Sequence, residues 1–206
     1  MTWTVHTCLI TLAILCVWQA EVAETCRCMR HPQEQFCSAD VVLKAKVLGG
    51  LKVVRAKHGS LSLKGYNIEE LKSFKGNCIK IHTIYTFTTS SLCGITLKYN
   101  TEYLLSGSFL DGRLHVSSCG LVRQWDTLTD SQREGVVSQY EQGCGCKITH
   151  CYSWPCAARS SAECLWGNEP TEIKLFGKRT IGYTCTMKSD KSCAWCKNGG
   201  KDCIVA

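Results

Sequence analysis

The chain has 206 residues, a formal charge of +7 and 17 cysteines, with ordinary globular proportions of apolar and charged residues. That composition excludes a disordered or fibrous chain, and the cysteine density points to an oxidising compartment. The basic surplus is scattered rather than clustered, so it suits matrix polyanions or acidic protein surfaces and gives no nucleic-acid footprint.

Residues 8–18 (CLITLAILCVW) form an apolar run, too short for a membrane span of ~20 residues and suited to a secretory signal. Ala23 and Thr25 put small side chains at the −3 and −1 positions of a cut before Cys26. Removing residues 1–25 takes away Glu21 and Glu24, which raises the formal charge from +7 to +9, and it removes Cys8 and Cys16. Fifteen cysteines remain. An odd number leaves at least one thiol free, capped or paired between chains. No later segment is apolar enough to span a membrane. The mature chain is long enough to bury a core, so bridges reinforce the fold rather than replace it. Cysteines are sparse up to residue 119 and crowded from 144. Two domains are expected, 26–144 and 145–206.

In chain order, residues 40–48 (DVVLKAKVL) read as a strand with Lys44 and Lys46 on one face, ended by Gly49-Gly50. Residues 51–65 suggest a hairpin turning at Gly59-Ser60. Residues 66–74 (YNIEELKSF) fit a short helix or a strand equally well. Residues 79–87 (IKIHTIYTF) alternate and predict a strand. Residues 103–116 predict a hairpin, because Asp111-Gly112 suits a turn needing positive φ at both central residues. Residues 129–140 predict a helix with Thr129 as N-cap and Gln132 completing a capping box; Gly135 weakens it. From Cys144 to Cys203 there are nine cysteines and little periodicity, as in a disulfide-held module of short ribbons. Together these predict a mainly β fold with some α: five or so strands in a small closed barrel with a helix packed on it, followed by a disulfide-rich module.

No HExxH, GxSxG, P-loop or GxGxxG occurs, and His31, His58, His82, His115 and His150 are spread singly, with His82 and His115 expected in strands. Most cysteines should be oxidised, so a catalytic thiolate is disfavoured. The chain is not expected to be an enzyme. Cys144, Cys146, Cys151 and Cys156, or Cys193 and Cys196, could be read as zinc thiolates or, for the last two, as a redox pair; the secretory context favours disulfides.

Cys26 is the unusual residue. Once the signal is cut, its side chain can be locked in a disulfide while its α-amine stays free. An α-amine has an unperturbed pKa near ~8, so part of it is neutral and can bind a metal. With the carbonyl oxygen of the same residue it forms a five-membered chelate.

The chain resembles the tissue inhibitors of metalloproteinases over its mature length. The matching blocks are CxC…HPQ..FC (26–37), AD.V..AKV (39–47), LCG (92–94), EYL..G (102–107), DG.LH (111–115), W.TL (125–128), GC.CKIT.C….PC (143–156), ECLW (163–166) and SD.SCAW (189–195). The resemblance implies a five-stranded OB-fold Greek-key barrel of the netrin-like type, carrying inhibition, and a small C-terminal domain. It pairs Cys26 with Cys93, Cys28 with Cys119, Cys37 with Cys144, Cys146 with Cys193, Cys151 with Cys156 and Cys164 with Cys185. Cys78, Cys196 and Cys203 have no counterpart in the family pattern. A Cys196–Cys203 bridge would leave Cys78 as the odd thiol.

The resemblance also implies a mechanism. The amine and carbonyl of Cys26 would chelate the catalytic zinc of a partner protease, with Arg27 entering the S1′ pocket. Cys28, Met29 and Arg30 would lie along the primed side, and Ser91, Leu92 and Gly94, tethered through Cys93, along the unprimed side. Partners would be matrix metalloproteinases in 1:1 complexes, with adamalysin-type enzymes as further candidates. The zinc is the partner's, and no cofactor of the chain's own is expected.

Two departures from the family matter. Arg27 stands where Thr or Ser is usual. Burying an unpaired guanidinium costs several kcal/mol, so its stem should line the pocket while its head reaches water or a carboxylate. A narrowed protease spectrum follows. The segment before His31-Pro32 is also one residue shorter than usual. There is no N-glycosylation sequon, and the short end after Cys203 argues against zymogen binding through an acidic tail. The alternative reading is an extracellular netrin-module-like binding protein that does not inhibit. In either case the location is extracellular, in the matrix for an inhibitor.

Overall fold

A computed structural model of the chain describes residues 26, 28–50, 53–55, 62–76, 80–153, 155–167, 182–197 and 202–204. The expected signal, Arg27, the Gly59-Ser60 turn, His58 and Cys78 lie outside the described residues. After the helix α1 (Pro32–Ser38) come the strands β1 (Val41–Gly50), β2 (Val54–Arg55), β3 (Ser62–Lys75), β4 (Thr83–Phe87), β5 (Glu102–Leu110), β6 (Arg113–Val116) and β7 (Val122–Gln124). The helix α2 (Asp130–Glu134) continues as a π-helical segment, Gly135–Gln139. The strands β8 (Lys147–Cys151), β9 (Glu163–Gly167), β10 (Thr184–Met187), β11 (Cys193–Lys197) and β12 (Asp202–Ile204) follow. Among the described residues no helix is long and apolar enough to cross a membrane.

Five strands close a barrel in the order β1-β3-β4-β6-β5, with β5 returning to β1. All contacts around the ring are antiparallel except β4–β6, which is parallel through Tyr85 and His115. Val41, Leu43, Ala45 and Val47 of β1 point into a core shared with Tyr66, Ile68, Ile84, Tyr103, Leu105 and Leu114. The opposite face of β1 begins apolar as well: Val42 is buried under the helices with Phe36, Leu104, Leu121, Leu128, Val136 and Tyr140. That explains why β1 opens as a continuous apolar run and alternates only later, where Lys44 pairs with Glu102 at 2.7 Å and lies 4.8 Å over the Trp125 ring.

The ambiguous residues 66–74 are strand, because β1 pairs with them along their length. Three register shifts in that ladder let β3 curl around the barrel. The strand expected from residue 79 begins only at Thr83, and His82 is therefore not in a strand. Ile79 is outside the described residues. Ahead of β4, the Glu70 carboxylate takes the N–H of Ile81 at 2.8 Å, a side-chain substitute for a ladder bond. The β5–β6 hairpin turns at Asp111 and Gly112, with φ of 50° and 72°.

Thr129 and Gln132 form the capping box of α2. The helix then widens at Gly135, whose carbonyl accepts the Tyr140 N–H at 2.8 Å. A Cβ on Gly135 would sit 2.6 Å from the buried Tyr140 ring. The glycine that looked like a weak point is what lets Tyr140 fold back onto the helix.

Beyond residue 144, β8 and β9 pair in parallel and β10-β11-β12 form an antiparallel sheet. Their small core is Ile148, Trp195 and the Cys164–Cys185 bridge, with Cys146, Trp166, Tyr183 and Cys193 packed around it. Glu163 is buried at the edge of β9; its carboxylate accepts the Arg159 N–H at 3.0 Å and meets Lys147 Nζ at 3.3 Å. The backbone bond from Arg159, and then Lys147, hold its carboxyl below the usual range.

Candidate functional site

Seven disulfides join described cysteines: Cys26–Cys93, Cys28–Cys119, Cys37–Cys144, Cys146–Cys193, Cys151–Cys156, Cys164–Cys185 and Cys196–Cys203. Cys196 and Cys203 face each other across β11 and β12. Cys193 and Cys196 are therefore neither a redox pair nor zinc ligands.

The first two bridges lie side by side. Their four sulfurs fall within 4.8 Å of one another, with Cys119 Sγ 3.4 Å from Cys93 Sγ and 3.7 Å from Cys26 Sγ. Four cysteines so close would suit a tetrahedral metal if reduced. Here the sulfurs are spent in S–S bonds and offer no thiolate. The same holds for Cys146, Cys185 and Cys193.

Around this double bridge the chain makes one exposed ridge. Cys26 and Cys28 are half-buried, and Met29 and Arg30 are exposed. From the other side comes a 3₁₀ turn, Ser90–Leu92, in which Leu92 and Ser91 face solvent. Cys93 caps that turn with φ of 60°, a left-handed conformation rare for a residue with a side chain. Gly94 follows because a Cβ there would collide with the backbone oxygens of Phe87 and Thr89. The third segment of the ridge is the loop of residues 117–120: the Ser118 N–H donates to the Cys93 carbonyl at 2.9 Å, and Ser118 Oγ lies 3.2 Å from Cys26 Sγ. Ser106 on β5 holds that loop, its hydroxyl accepting the Leu121 N–H at 2.7 Å. Of the residues singled out in the sequence, Cys26, Cys28, Met29, Arg30, Ser91, Leu92, Cys93 and Gly94 thus belong to one surface ridge. Arg27 lies outside the described residues.

The ridge is braced from behind by α1. His31 is its N-cap, Pro32 occupies the first turn and Glu34 completes a capping box, its carboxylate accepting the His31 N–H at 2.9 Å. The same carboxylate pairs with His150 Nε2 on β8 at 2.8 Å. The His31 ring is fully buried, with Trp195 and Trp166 at centroid distances of 4.9 and 5.5 Å. Gln33 is also buried and uses both ends of its amide: Nε2 donates to the carbonyls of Gly143 and Cys185 at 2.9 and 2.8 Å, and Oε1 accepts the Cys185 N–H at 2.8 Å. Gln35 donates to the Cys119 carbonyl at 3.2 Å, which ties α1 directly to the ridge. At the far end, Lys75 from β3 donates to the carbonyls of Phe36 and Cys37 at 3.1 and 2.6 Å. It joins the Ala39 N–H on the Phe36 carbonyl and donates to that of Cys37, at the pole where a cation is favoured; its partial burial lowers its pKa.

Sequence reasoning missed this brace. A legible signal was present, since His-Pro-x-Glu spells N-cap, N1 and N3 of a short helix. Histidine is an uncommon N-cap, and nothing local reveals that Gln33 reaches residues more than a hundred positions away.

Comparison with known proteins converges on one family. Residues 23–195 match the family model described as tissue inhibitor of metalloproteinase. The chain is 37% identical to metalloproteinase inhibitor 3 of Gallus gallus, over 88% of this chain and 87% of that protein. It is 38% identical to metalloproteinase inhibitor 2 of Gallus gallus (89% and 87%) and to metalloproteinase inhibitor 2 of Homo sapiens (84% and 82%).

Proposed function

This chain belongs to the tissue inhibitor of metalloproteinase family, a family of inhibitors rather than enzymes, and on that premise we propose that it is a secreted inhibitor of zinc metalloendopeptidases, matrix metalloproteinases in particular. Its mature end is Cys26, released by removal of residues 1–25. Residues 26–144 form the inhibitory domain and 145–206 a second, disulfide-rich domain. One inhibitor meets one protease in the extracellular matrix, and the basic surface assists retention there by matrix polyanions.

The chemistry is that of a metal ligand which cannot be cleaved. A protease zinc keeps one position open for the water that attacks the substrate. The α-amine and carbonyl oxygen of Cys26 would hold that zinc as a two-point chelate in place of the water. Arg27 enters S1′ with its stem against the wall and its head toward a carboxylate or water. Cys28, Met29 and Arg30 follow the primed side of the cleft. Ser91, Leu92 and Gly94 cover the unprimed side, and adamalysin-type enzymes with suitable pockets are further partners. The observation that carries the reading is the pair of abutting bridges, Cys26–Cys93 and Cys28–Cys119. They hold two exposed segments as one pre-shaped wedge, so little conformational entropy is lost on docking.

Titration of a matrix metalloproteinase catalytic domain tests this. The mature protein should inhibit with 1:1 stoichiometry, and a form with one alanine before Cys26 should lose on the order of 1,000-fold in affinity, about 4 kcal/mol. Inhibition retained by the extended form would exclude amine chelation. Absence of inhibition by either form would leave the non-inhibitory netrin-like binding module. Arg27→Thr should broaden the spectrum across a protease panel; an unchanged or narrower spectrum would remove Arg27 from S1′.

A further inference from the structure

A cavity of about 210 Å³ opens between α1, the outer wall of the barrel, α2 and β9. Its floor is apolar and buried: Leu104, Leu121, Leu128 and Val136. Tyr140 closes one side, and burial pushes its hydroxyl up to about 12, so that it stays neutral at any physiological pH. The mouth is of opposite character. Exposed Arg30 and Arg123 stand there with half-buried Gln132, the buried Gln35 lies in the wall behind them, and among the described residues no carboxylate lines the site.

The polar groups at the mouth are unevenly committed. The Gln132 side-chain oxygen is taken by the Thr129 N–H, at 3.0 Å, which leaves its NH₂ group. The Gln35 NH₂ donates to the Cys119 carbonyl. One Arg123 nitrogen donates to the Val122 carbonyl at 2.8 Å, leaving the rest of the guanidinium. Arg30 makes no ion pair or hydrogen bond among the described residues. What remains on offer is mostly donors, two guanidinium groups and the Gln132 NH₂, beside the Gln35 side-chain oxygen. A carboxylate is an acceptor only and binds guanidinium in two-point fashion.

We propose that this cavity is a binding site for a small amphipathic organic acid, with an apolar body on the leucine floor and a carboxylate between Arg30 and Arg123. Size sets the class of body. A cavity of about 150 Å³ accepts benzene, whereas drug-sized ligands use roughly 300–1,000 Å³. The occupant is a phenylalkanoate or a short-chain fatty acid rather than a long-chain lipid. Water over an apolar floor has few partners, so its displacement favours the ligand. The site shares Arg30 with the ridge of the inhibitory reading, but it uses neither Cys26 nor the Ser90–Leu92 turn, and Arg123 and the apolar floor lie outside that ridge.

The test is ligand-observed fluorine NMR on the full mature, disulfide-bonded chain with 3-[4-(trifluoromethyl)phenyl]propanoate, and with its neutral alcohol for comparison. The acid should bind saturably at one site and at least tenfold tighter than the alcohol. Arg123→Gln and Arg30→Gln, both at the surface, should each weaken it at least fivefold, and Val136→Phe, which fills the floor, should abolish it. Absence of saturable binding, equal binding of acid and alcohol, or affinity unchanged in both arginine variants would overturn the proposal. If Val136→Phe does not fold, the arginine pair and the alcohol still decide it.

Discussion

Residues 26–30 and the helix that follows them are adjacent in sequence and held by different means. Of the first segment, Cys26 and residues 28–30 are exposed or half-buried and join none of the hydrophobic clusters among the described residues, with two bridges to distant loops setting their position. The helix Pro32–Ser38 carries one bridge, yet it is fixed mainly by burying Gln33, Gln35 and Phe36 and by polar contacts satisfied at both ends. A surface that must stay open to a partner cannot become rigid through burial. Covalent bonds replace the packing it forgoes, and the helix behind it, free of that demand, takes up the noncovalent load.

The strongest way to break this contrast is to remove a bridge from the ridge. Cys28→Ser with Cys119→Ser should weaken inhibition of a matrix metalloproteinase on the order of 100-fold and cost about 2–5 kcal/mol of stability. Inhibition equal to that of the parent protein would mean that hydrogen bonds alone keep the ridge in shape. On the helix side, Gln33→Leu keeps the volume and strands the Gly143 and Cys185 carbonyls and the Cys185 N–H. Each of the three buried orphans costs about 1–3 kcal/mol, so a loss of roughly 3–9 kcal/mol is expected. At about 2–4 °C per kcal/mol the melting temperature should fall by ~6 °C or more, while folded material still inhibits. A melting temperature within a degree or two of the parent's would show that the amide is dispensable.

A smaller effect sharpens the same point inside the second module, where Glu163 is buried polar and charged. Its carboxyl titrates lower in the folded chain than in the unfolded one. The stabilisation is therefore complete above the ordinary glutamate value, near ~4.3. It is lost as the pH falls through the lower folded value. Melting temperatures from pH 7 down to 3 should fall more steeply for the parent than for Glu163→Gln; parallel curves would contradict this.

How far the fold could be read from the sequence depended on whether the signal was local. The Asp111-Gly112 turn and the Thr129 capping box rest on a few neighbouring residues, and both were legible. Residues 66–74 carry no decisive period, and it took pairing with β1 to make them strand. Residues 79–82 alternate like a strand, yet the ladder begins only at Thr83, because Glu70 meets the Ile81 N–H first. The Gly135 widening depends on where the Tyr140 ring packs. The candidate ridge was legible through its cysteine blocks, while its brace of Gln33, Glu34, Gln35 and His150 was not.

By itself, then, the sequence determined the turns with special backbone needs, most of the alternating strands and, through its spaced cysteine blocks, the family, whose pattern implied six of the seven described bridges. The turns and strands are set by contacts within a few residues, and the family by the order and spacing of its motifs. Only the tertiary structure decided that two bridges abut under one ridge, that α1 ties this ridge to the second module, and that a donor-rimmed cavity opens beside Arg30. Each of those joins residues tens to more than a hundred positions apart, and such proximity is created by chain closure around a shared core rather than by any local pattern.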